Sequence, residues 1–389
     1  MSPPIFPGLE RLRNELAAIR AGDRARVRRL LDSPQGTTVT VDGRQLLSFC
    51  SNDYLGLAND ARVRAAFQQA VEQYGVGSGA SHLITGHMRP HHALEEELAA
   101  WVGAERALLF STGYMANLGV VSALTGRGDH LFEDKLNHAS LIDAARLSGA
   151  EVHRYRHGDM ARLAQELQTA GGEKMILTDG VFSMDGDEAR VAELAKLAQE
   201  HGAWLLVDDA HGLGVHGPHG AGTLARAGLK PAAPVILMGT LGKALGTFGA
   251  FVAGNAEVIE LLIQRARTYI YTTALPPAVA AATRASVQIA HADEGRRETL
   301  RRHIATLRAG AARLGLNMPE SATPIQPVIL GHDRVALAAS AALREQGILV
   351  PAIRPPTVPE GQSRLRVSLS AAHTDADLER LLAALAKIA

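Results

Sequence analysis

Cysteine is nearly absent from this 389-residue sequence; Cys50 is the only one. A single thiol closes no internal disulfide and builds no cysteine metal cluster, and such usage suits a reducing compartment. Cys50 itself reads as a small buried apolar side chain. Net charge is missing too, because 40 Lys and Arg balance 40 Asp and Glu. No field of one sign is available to hold a polyanion, so nucleic acid is not expected as the main partner, while a local basic pocket for a small phosphate-bearing molecule remains open. No run approaches the ~20 uninterrupted apolar residues that cross a bilayer. The opening MSPPIFPGLERLRNELAAIR lacks the basic-then-apolar order of a signal peptide. The expected protein is cytoplasmic, with no membrane partner. Internal repeats and low-complexity linkers are lacking as well.

What the sequence does contain is a large apolar fraction, 47% against 21% charged residues. That supports a sizeable core in a chain long enough for one large and one smaller domain. Leu9, Leu12, Leu16 and Ile19 recur at helical spacing and predict an amphipathic N-terminal helix with a basic opposite face. TTVTV and RQLLSF flank Asp42-Gly43, the signature of a hairpin. Short β-rich runs then occur at 107–110, 174–179, 204–209, 235–239 and 249–254, alternating with helical patterns such as VAELAKLAQEHG. This alternation implies right-handed crossovers onto a mostly parallel sheet covered on both faces, an α/β fold. Past Leu275-Pro276-Pro277 the texture changes. A long helical stretch runs to about residue 314, followed by strand-like runs at 324–330, 348–350 and 365–370, a helix near 334–346 and a final helix. Three parts are expected: an N-terminal helix and hairpin (1–50), a large domain (51–280) and a small C-terminal α+β domain (281–389).

Open α/β sheets bind ligands beyond the carboxyl ends of their strands. The run 107–110 is followed by STGYMANLGVV (111–121), a turn of small residues opening a helix. Backbone N–H groups of Gly113 and Tyr114 would seat a phosphate there, although any βα turn offers the same geometry. The run 204–209 leads through Asp208-Asp209 into Ala210-His211-Gly212. Two acids at the end of a buried strand are costly unless compensated. A cationic heterocycle would compensate them; a solvated loop start and a metal pair are the competing readings, the metal being poorer for want of a third ligand. The run 235–239 opens into Gly239-Thr240-Leu241-Gly242-Lys243-Ala244-Leu245-Gly246. Flanking glycines let a ligand approach, and desolvation depresses a lysine pKa toward the neutral amine that Schiff-base formation needs. A lone loop lysine is ordinarily a surface charge. The combination with a phosphate seat and an acid-then-histidine strand end is what singles out Lys243.

SNDYLGL (51–57), STGYMAN (111–117), DGVFSMDGD (179–187), VDDAHG (207–212), GTLGKALG (239–246) and RLRVSLSAAH (364–373) occur in this order. Together they resemble the motifs of the α-oxoamine synthases, pyridoxal phosphate-dependent transferases of fold type I, the aspartate aminotransferase-like class. The resemblance runs from about residue 20 to the C-terminus. It implies a large domain around a mostly parallel seven-stranded sheet, a small α+β domain, and a homodimer with its active site at the interface. There YTTALPP (271–277) would approach the partner's phosphate, with Thr272 or Thr273 as donor. For Lys243 the resemblance implies the Schiff base to the cofactor and then removal of the substrate Cα proton. Asp208 would keep the pyridine nitrogen protonated, making the ring an electron sink. His211 would hydrogen-bond the ring 3-oxygen, and His138 in LNHASL would stack on the ring, though alone it reads rather as a structural histidine. Gly113, Tyr114 and Thr240 would hold the phosphate, with Ser183 against the cofactor. For the amino-acid carboxylate the resemblance favours Arg354, while Arg366 also has the bidentate geometry and otherwise reads as a strand-face residue. Thr357 follows Arg354 as a substrate contact. Asn52 belongs at the site mouth or in an Asx turn. Among Arg20, Arg24, Arg26, Arg28 and Arg29, otherwise a solvated helix face, an ungapped match selects Arg26 to meet the acyl donor.

IRPPTVPEG (353–361) and the short N-terminus point to those members that condense L-alanine with a pimeloyl thioester, carried by coenzyme A or acyl carrier protein, in biotin synthesis. Glycine-acetylating and related members share nearly every cofactor motif and remain the alternative. A dinucleotide-binding dehydrogenase needs a G-x-G-x-x-G turn after its first strand, and GVGSGAS (75–81) follows a helical pattern instead. A cofactor-binding regulator needs a DNA-binding module, of which the sequence has no sign. His91-His92 followed by Glu95 reads as part of an amphipathic helix, and no metal is expected.

Overall fold

The computed structural model describes residues 7–388; residues 1–6, part of the segment read for a leader, and residue 389 lie outside them. Asp42 and Gly43 both take positive φ, 50° and 73°. That geometry closes β1 (Thr38–Val41) onto β2 (Arg44–Ser48) as the two-residue hairpin expected from Asp-Gly. The amphipathic helix Pro7–Ala21 also forms, but Leu9, Leu12, Leu16 and Ile19 stay 45–49% exposed. Among the described residues its apolar face therefore stays about half uncovered. The helix stops at Ala21, so Arg24, Arg26, Arg28 and Arg29 lie on an irregular segment and not on the helix face their clustering suggests.

Seven strands build the main sheet: β3 (Arg106–Phe110), β4 (His130–Asp134), β5 (Glu151–Tyr155), β6 (Lys174–Asp179), β7 (Trp204–Asp208), β8 (Val235–Thr240) and β9 (Ala250–Gly254). Their order is β3-β9-β8-β7-β6-β4-β5. β4 through β8 run parallel, while β9 is antiparallel to both β3 and β8. The central strands read as continuous apolar runs because both faces are covered. Leu205 and Leu237 face one core, and Leu206 and Ile236 face the other, all fully buried.

The sequence reading contains neither β4 nor β5, since HLFED and EVHRY place charge where strands usually place apolar side chains. Pairing makes that charge tolerable. Glu133 and Asp134 are only 1% and 2% exposed, and they meet Arg154 at 2.7 Å and His157 at 3.0 Å.

The long helical stretch past Pro277 is two helices, Pro277–Ala292 and Glu294–Arg313, with Asp293 capping the second by accepting from the Arg296 N–H. Beyond them come β10 (Ile325–Gly331), β11 (Ile348–Leu349), β12 (Ala352–Ile353) and β13 (Ser363–Ser368). A small antiparallel sheet has the order β10-β13-β12. β11 leaves that sheet and pairs in parallel with β2, Ile348 opposite Leu47. The first and last parts of the chain thus share a sheet.

Candidate active site

Two neighbouring parallel strands deliver the central groups. β7 ends on Asp208, and β8 runs out through Thr240 into the loop that carries Lys243. Lys243 Nζ lies 2.9 Å from His211 Nε2. Burial lowers the Lys243 pKa to about 8, against the opposing pull of the Asp208 and Asp179 carboxylates. Burial also pushes His211 well below its usual value, helped by the Lys243 and Arg366 cations. Asp208 is buried and accepts from Asn117 Nδ2 at 2.7 Å and from the Ala210 N–H at 3.1 Å. Its neighbour Asp209 points away, accepting from the Thr223 N–H at 2.7 Å, and burial raises its pKa to about 7. The two acids of the strand end therefore have different surroundings and different uses.

Gly113 opens the helix Gly113–Leu124, where the Thr112 side chain caps by accepting from the Met115 N–H at 3.2 Å. A methyl group at Gly113 would stand 2.9 Å from Thr240 Cγ2. Only glycine lets this helix start approach the end of β8, and the approach brings two of the expected phosphate contacts together. Tyr114 is exposed and donates its hydroxyl to Asp143. Thr240 Oγ1 donates to the Ala210 carbonyl at 3.3 Å.

His138 is fixed at the start of the helix Ala139–Ser148, its N–H donating to Asp179 Oδ2 at 2.6 Å and its Nδ1 lying 2.7 Å from Ser140 Oγ. Desolvation lowers its pKa, with Asp208 opposing and Lys243 reinforcing the effect. Burial and the neighbouring Asp208 together raise Asp179. The Ser183 carbonyl accepts from Arg366 Nε at 2.6 Å.

A chain of contacts then reaches Lys243 from the far side. Arg366 Nη1 donates to Asn52 Oδ1 at 3.2 Å, Tyr54 Oη lies 3.1 Å from the same oxygen, and Tyr54 Oη lies 2.7 Å from His211 Nδ1. The arginine that joins the cluster is therefore Arg366. Arg354 instead donates to the Asp23 carbonyl and, at 3.4 Å, to the Ala25 carbonyl, holding the irregular segment after the first helix. Arg354 and Arg26 line one cleft of about 470 Å³ together with Arg20 and Arg29. Thr357 is exposed and its N–H donates to the Arg354 carbonyl at 3.1 Å. No hydrogen bond among the described residues links Arg26, Arg354 or Thr357 to the Lys243 cluster.

Sequence reasoning misses Tyr54, Asn117 and Asp179. All three lie inside motifs or strand runs it quotes, but a buried aromatic, an amide one turn into a helix and a strand-end acid carry no periodic signal of their own. They become functional only through what the fold sets beside them.

The family description aminotransferase class I and II matches residues 44–385. An 8-amino-7-oxononanoate synthase of Thioalkalivibrio sulfidiphilus is 59% identical over 376 residues, covering 96% of both chains. That of Methylococcus capsulatus is 59% identical over 372 residues, covering 95% of this chain and 96% of its own. The chain belongs to the 8-amino-7-oxononanoate synthase family. Among solved structures, the serine palmitoyltransferase of Sphingomonas wittichii superposes with a TM-score of 0.92 at 34% identity, covering 99% of this chain and 98% of that one. An 8-amino-7-oxononanoate synthase of Francisella tularensis gives 0.77 at 32% identity, covering 88% and 97%.

As a member of the 8-amino-7-oxononanoate synthase family the chain is expected to use pyridoxal phosphate, and the residues present fit that group. Asp208 is a buried carboxylate with no cation at ion-pair distance among the described residues, and Asn117 Oδ1 beside it has no hydrogen-bond partner there. A ring N–H of positive charge is what such an acid lacks. Lys243 offers an amine already shifted toward its neutral form, and the Gly113 turn with Thr240 offers donors for a phosphate.

Proposed function

We propose that this chain condenses L-alanine with a pimeloyl thioester, on coenzyme A or acyl carrier protein, releasing 8-amino-7-oxononanoate, carbon dioxide and the carrier thiol, with pyridoxal phosphate as cofactor. One observation carries the reading: in a chain 59% identical to curated synthases of that name, a desolvated Lys243 amine contacts His211 beside the strand that ends in buried Asp208.

When bound, pyridoxal phosphate supplies a conjugated cationic ring that accepts the electron pair left on the alanine Cα. Lys243 would hold the cofactor through its amine, and in neutral form it would take the alanine Cα proton. Asp208, anchored by Asn117 and the Ala210 N–H, would present its carboxylate to the pyridine nitrogen and keep a proton there. His211 would donate to the ring oxygen and His138 would cover one ring face. Gly113, Tyr114 and Thr240 would seat the phosphate, and Ser183 would line the cofactor. Cα then bonds to the thioester carbonyl carbon as the C–S bond breaks and the thiol leaves. The alanine carboxylate departs as carbon dioxide, and a proton returns to the same carbon. Arg366 in the cluster, with Asn52, is placed to meet the alanine carboxylate. Arg26, Arg354 and Thr357 flank the cleft from which the acyl donor arrives.

The working form is a homodimer in the cytoplasm. Val76, Ile84 and Tyr271 are 78%, 74% and 72% exposed on either side of the bridge between Ser81 and Thr273. Apolar surface of that kind suits a partner subunit, and the same segment carries Thr272 and Thr273. No helix among the described residues is long and apolar enough to cross a membrane.

The test is to mix holoenzyme with alanine, glycine or serine, each with pimeloyl and acetyl thioesters on either carrier, and to weigh the products. Alanine with the pimeloyl donor should give 8-amino-7-oxononanoate; turnover confined to glycine with the acetyl donor overturns the assignment. A monomer at micromolar concentration that still turns over removes the dimer.

A further inference from the structure

We propose that Tyr54 is a positioning residue whose hydroxyl, in the cofactor-loaded enzyme, donates to His211 Nδ1 and so keeps the imidazole proton on Nε2, the edge that faces Lys243. The inference rests on the reading in which His211 meets the ring oxygen of the cofactor.

Tyr54 is fully buried in SNDYLGL, a turn shaped by the Asp53 carboxylate, which accepts from the N–H groups of Leu57 at 2.8 Å and Ala58 at 3.0 Å. The phenol has one proton and two groups that could accept it, His211 Nδ1 at 2.7 Å and Asn52 Oδ1 at 3.1 Å, with the Arg366 guanidinium beside it as a further donor. Two arrangements follow. If Tyr54 donates to Asn52, it accepts from a proton on Nδ1, and Nε2 turns a lone pair toward Lys243. If Tyr54 donates to Nδ1, the proton sits on Nε2 and that edge becomes a donor.

What faces Nε2 decides between them. An ammonium on Lys243 donates to a lone pair and suits the first arrangement. Once the amine is bound to the cofactor it no longer serves as that donor, and a ring oxygen is an acceptor. An Nε2 lone pair would then meet an oxygen lone pair with no proton between them, which is costly in a buried site. The second arrangement avoids this, and the fold permits it. Arg366 Nη1 already donates to Asn52 Oδ1 at 3.2 Å, so the Tyr54 hydroxyl can turn to His211 without leaving that oxygen unsatisfied.

Burial raises the Tyr54 pKa and lowers that of His211, so both remain neutral and a single imidazole proton has to be placed. The charged or titratable groups acting on His211 from packed elements are Lys243, Arg366 and His138; Asp208, on its own segment, acts on Lys243. Tyr54 is the group in contact with Nδ1, and a hydroxyl, unlike a carbonyl or an ammonium, serves both tautomers.

Neutron diffraction of deuterated holoenzyme reads the proton directly. Deuterium is expected on His211 Nε2 and not on Nδ1, with the Tyr54 deuterium directed at Nδ1; deuterium on Nδ1 overturns the inference. In solution, Tyr54→Phe keeps the ring packing and removes the hydroxyl. A donor to the ring oxygen favours the form that has lost its proton, so weakening it should raise the apparent pKa of the visible absorbance of the lysine-bound cofactor by about one unit, tenfold in proton affinity. A titration identical to wild type refutes the proposal. Should Tyr54→Phe fail to fold, the wild-type neutron map decides alone. Product masses are blind to the tautomer, so finding a different acyl donor leaves this inference standing.

Discussion

Asn117 Nδ2 donates to Asp208 Oδ2 across 2.7 Å, tying the helix that Gly113 opens to the acid at the end of β7. The same amide nitrogen also donates to Ser140 Oγ at 2.9 Å, on the helix that begins beside His138. Asp208 is therefore held by a frame built from three separate strand–helix turns. Asp208→Asn keeps the shape and removes the charge proposed to hold a proton on the ring nitrogen. We expect kcat to fall roughly 100- to 1000-fold, the range seen when one preorganised electrostatic group is removed, with the circular dichroism spectrum unchanged. Near-normal turnover would take this role from Asp208.

Lys243→Ala should show no visible cofactor band after reconstitution and dialysis. The absorbance spectrum of the dialysed variant is the measurement, and a retained band would place the covalent link on another amine.

The depressed Lys243 pKa has a kinetic consequence in the apoenzyme. Only the neutral amine attacks the cofactor carbonyl, and below about 8 its fraction falls tenfold per pH unit. The rate of reconstitution, followed by absorbance, should climb with pH and level off above about 8. A flat profile between pH 6 and 9 would contradict the assignment.

Arg366 and Arg354 are separated by a single comparison. Charge-assisted hydrogen bonds to a carboxylate contribute about 1.5–3 kcal/mol, so Arg366→Ala should raise the KM for alanine roughly 10- to 100-fold. Arg354→Ala should act mainly on the acyl thioester, because its guanidinium holds the segment that carries Arg26. The opposite ranking of alanine KM values would return the carboxylate to Arg354.

His157 bridges Asp134 and Asp187 at 3.0 and 2.6 Å, and those carboxylates raise its pKa from 6.5 to about 10. A folded-state pKa above the unfolded one stabilises fully below about 6.5, and the contribution is lost as pH rises through 10. His157→Gln should therefore lower the melting temperature most near pH 6, with the deficit shrinking toward pH 10. A deficit constant across that range would show that packing against Phe182, not charge, is what His157 supplies.

The hairpin and the apolar central strands are legible in the sequence because each is governed by neighbours in sequence or by burial on both faces. β4 and β5 are not, because Glu133 and Asp134 are made tolerable by Arg154 and His157, partners about twenty residues away that no local pattern announces. The break at Asp293 was hidden because both flanking segments have helical texture. Tyr54 and Asn52 sat in a quoted motif, yet their meaning depends on His211 and Arg366, one far downstream and one near the C-terminus. Arg354 lies just past β12 and Arg366 on β13, and only contacts far along the chain set Arg366 beside Asn52.

The pairing of β2 with β11 sets an order in time. Leu47 leaves the ribosome roughly three hundred residues before its partner Ile348. At about 5–20 residues per second, that strand edge waits on the order of 15–60 s for the strand that covers it. During that interval the hairpin presents unpaired backbone groups to whatever else is nearby, as any open sheet edge does. The cost of joining two segments about three hundred residues apart is thus borne during synthesis, by the one that is made first.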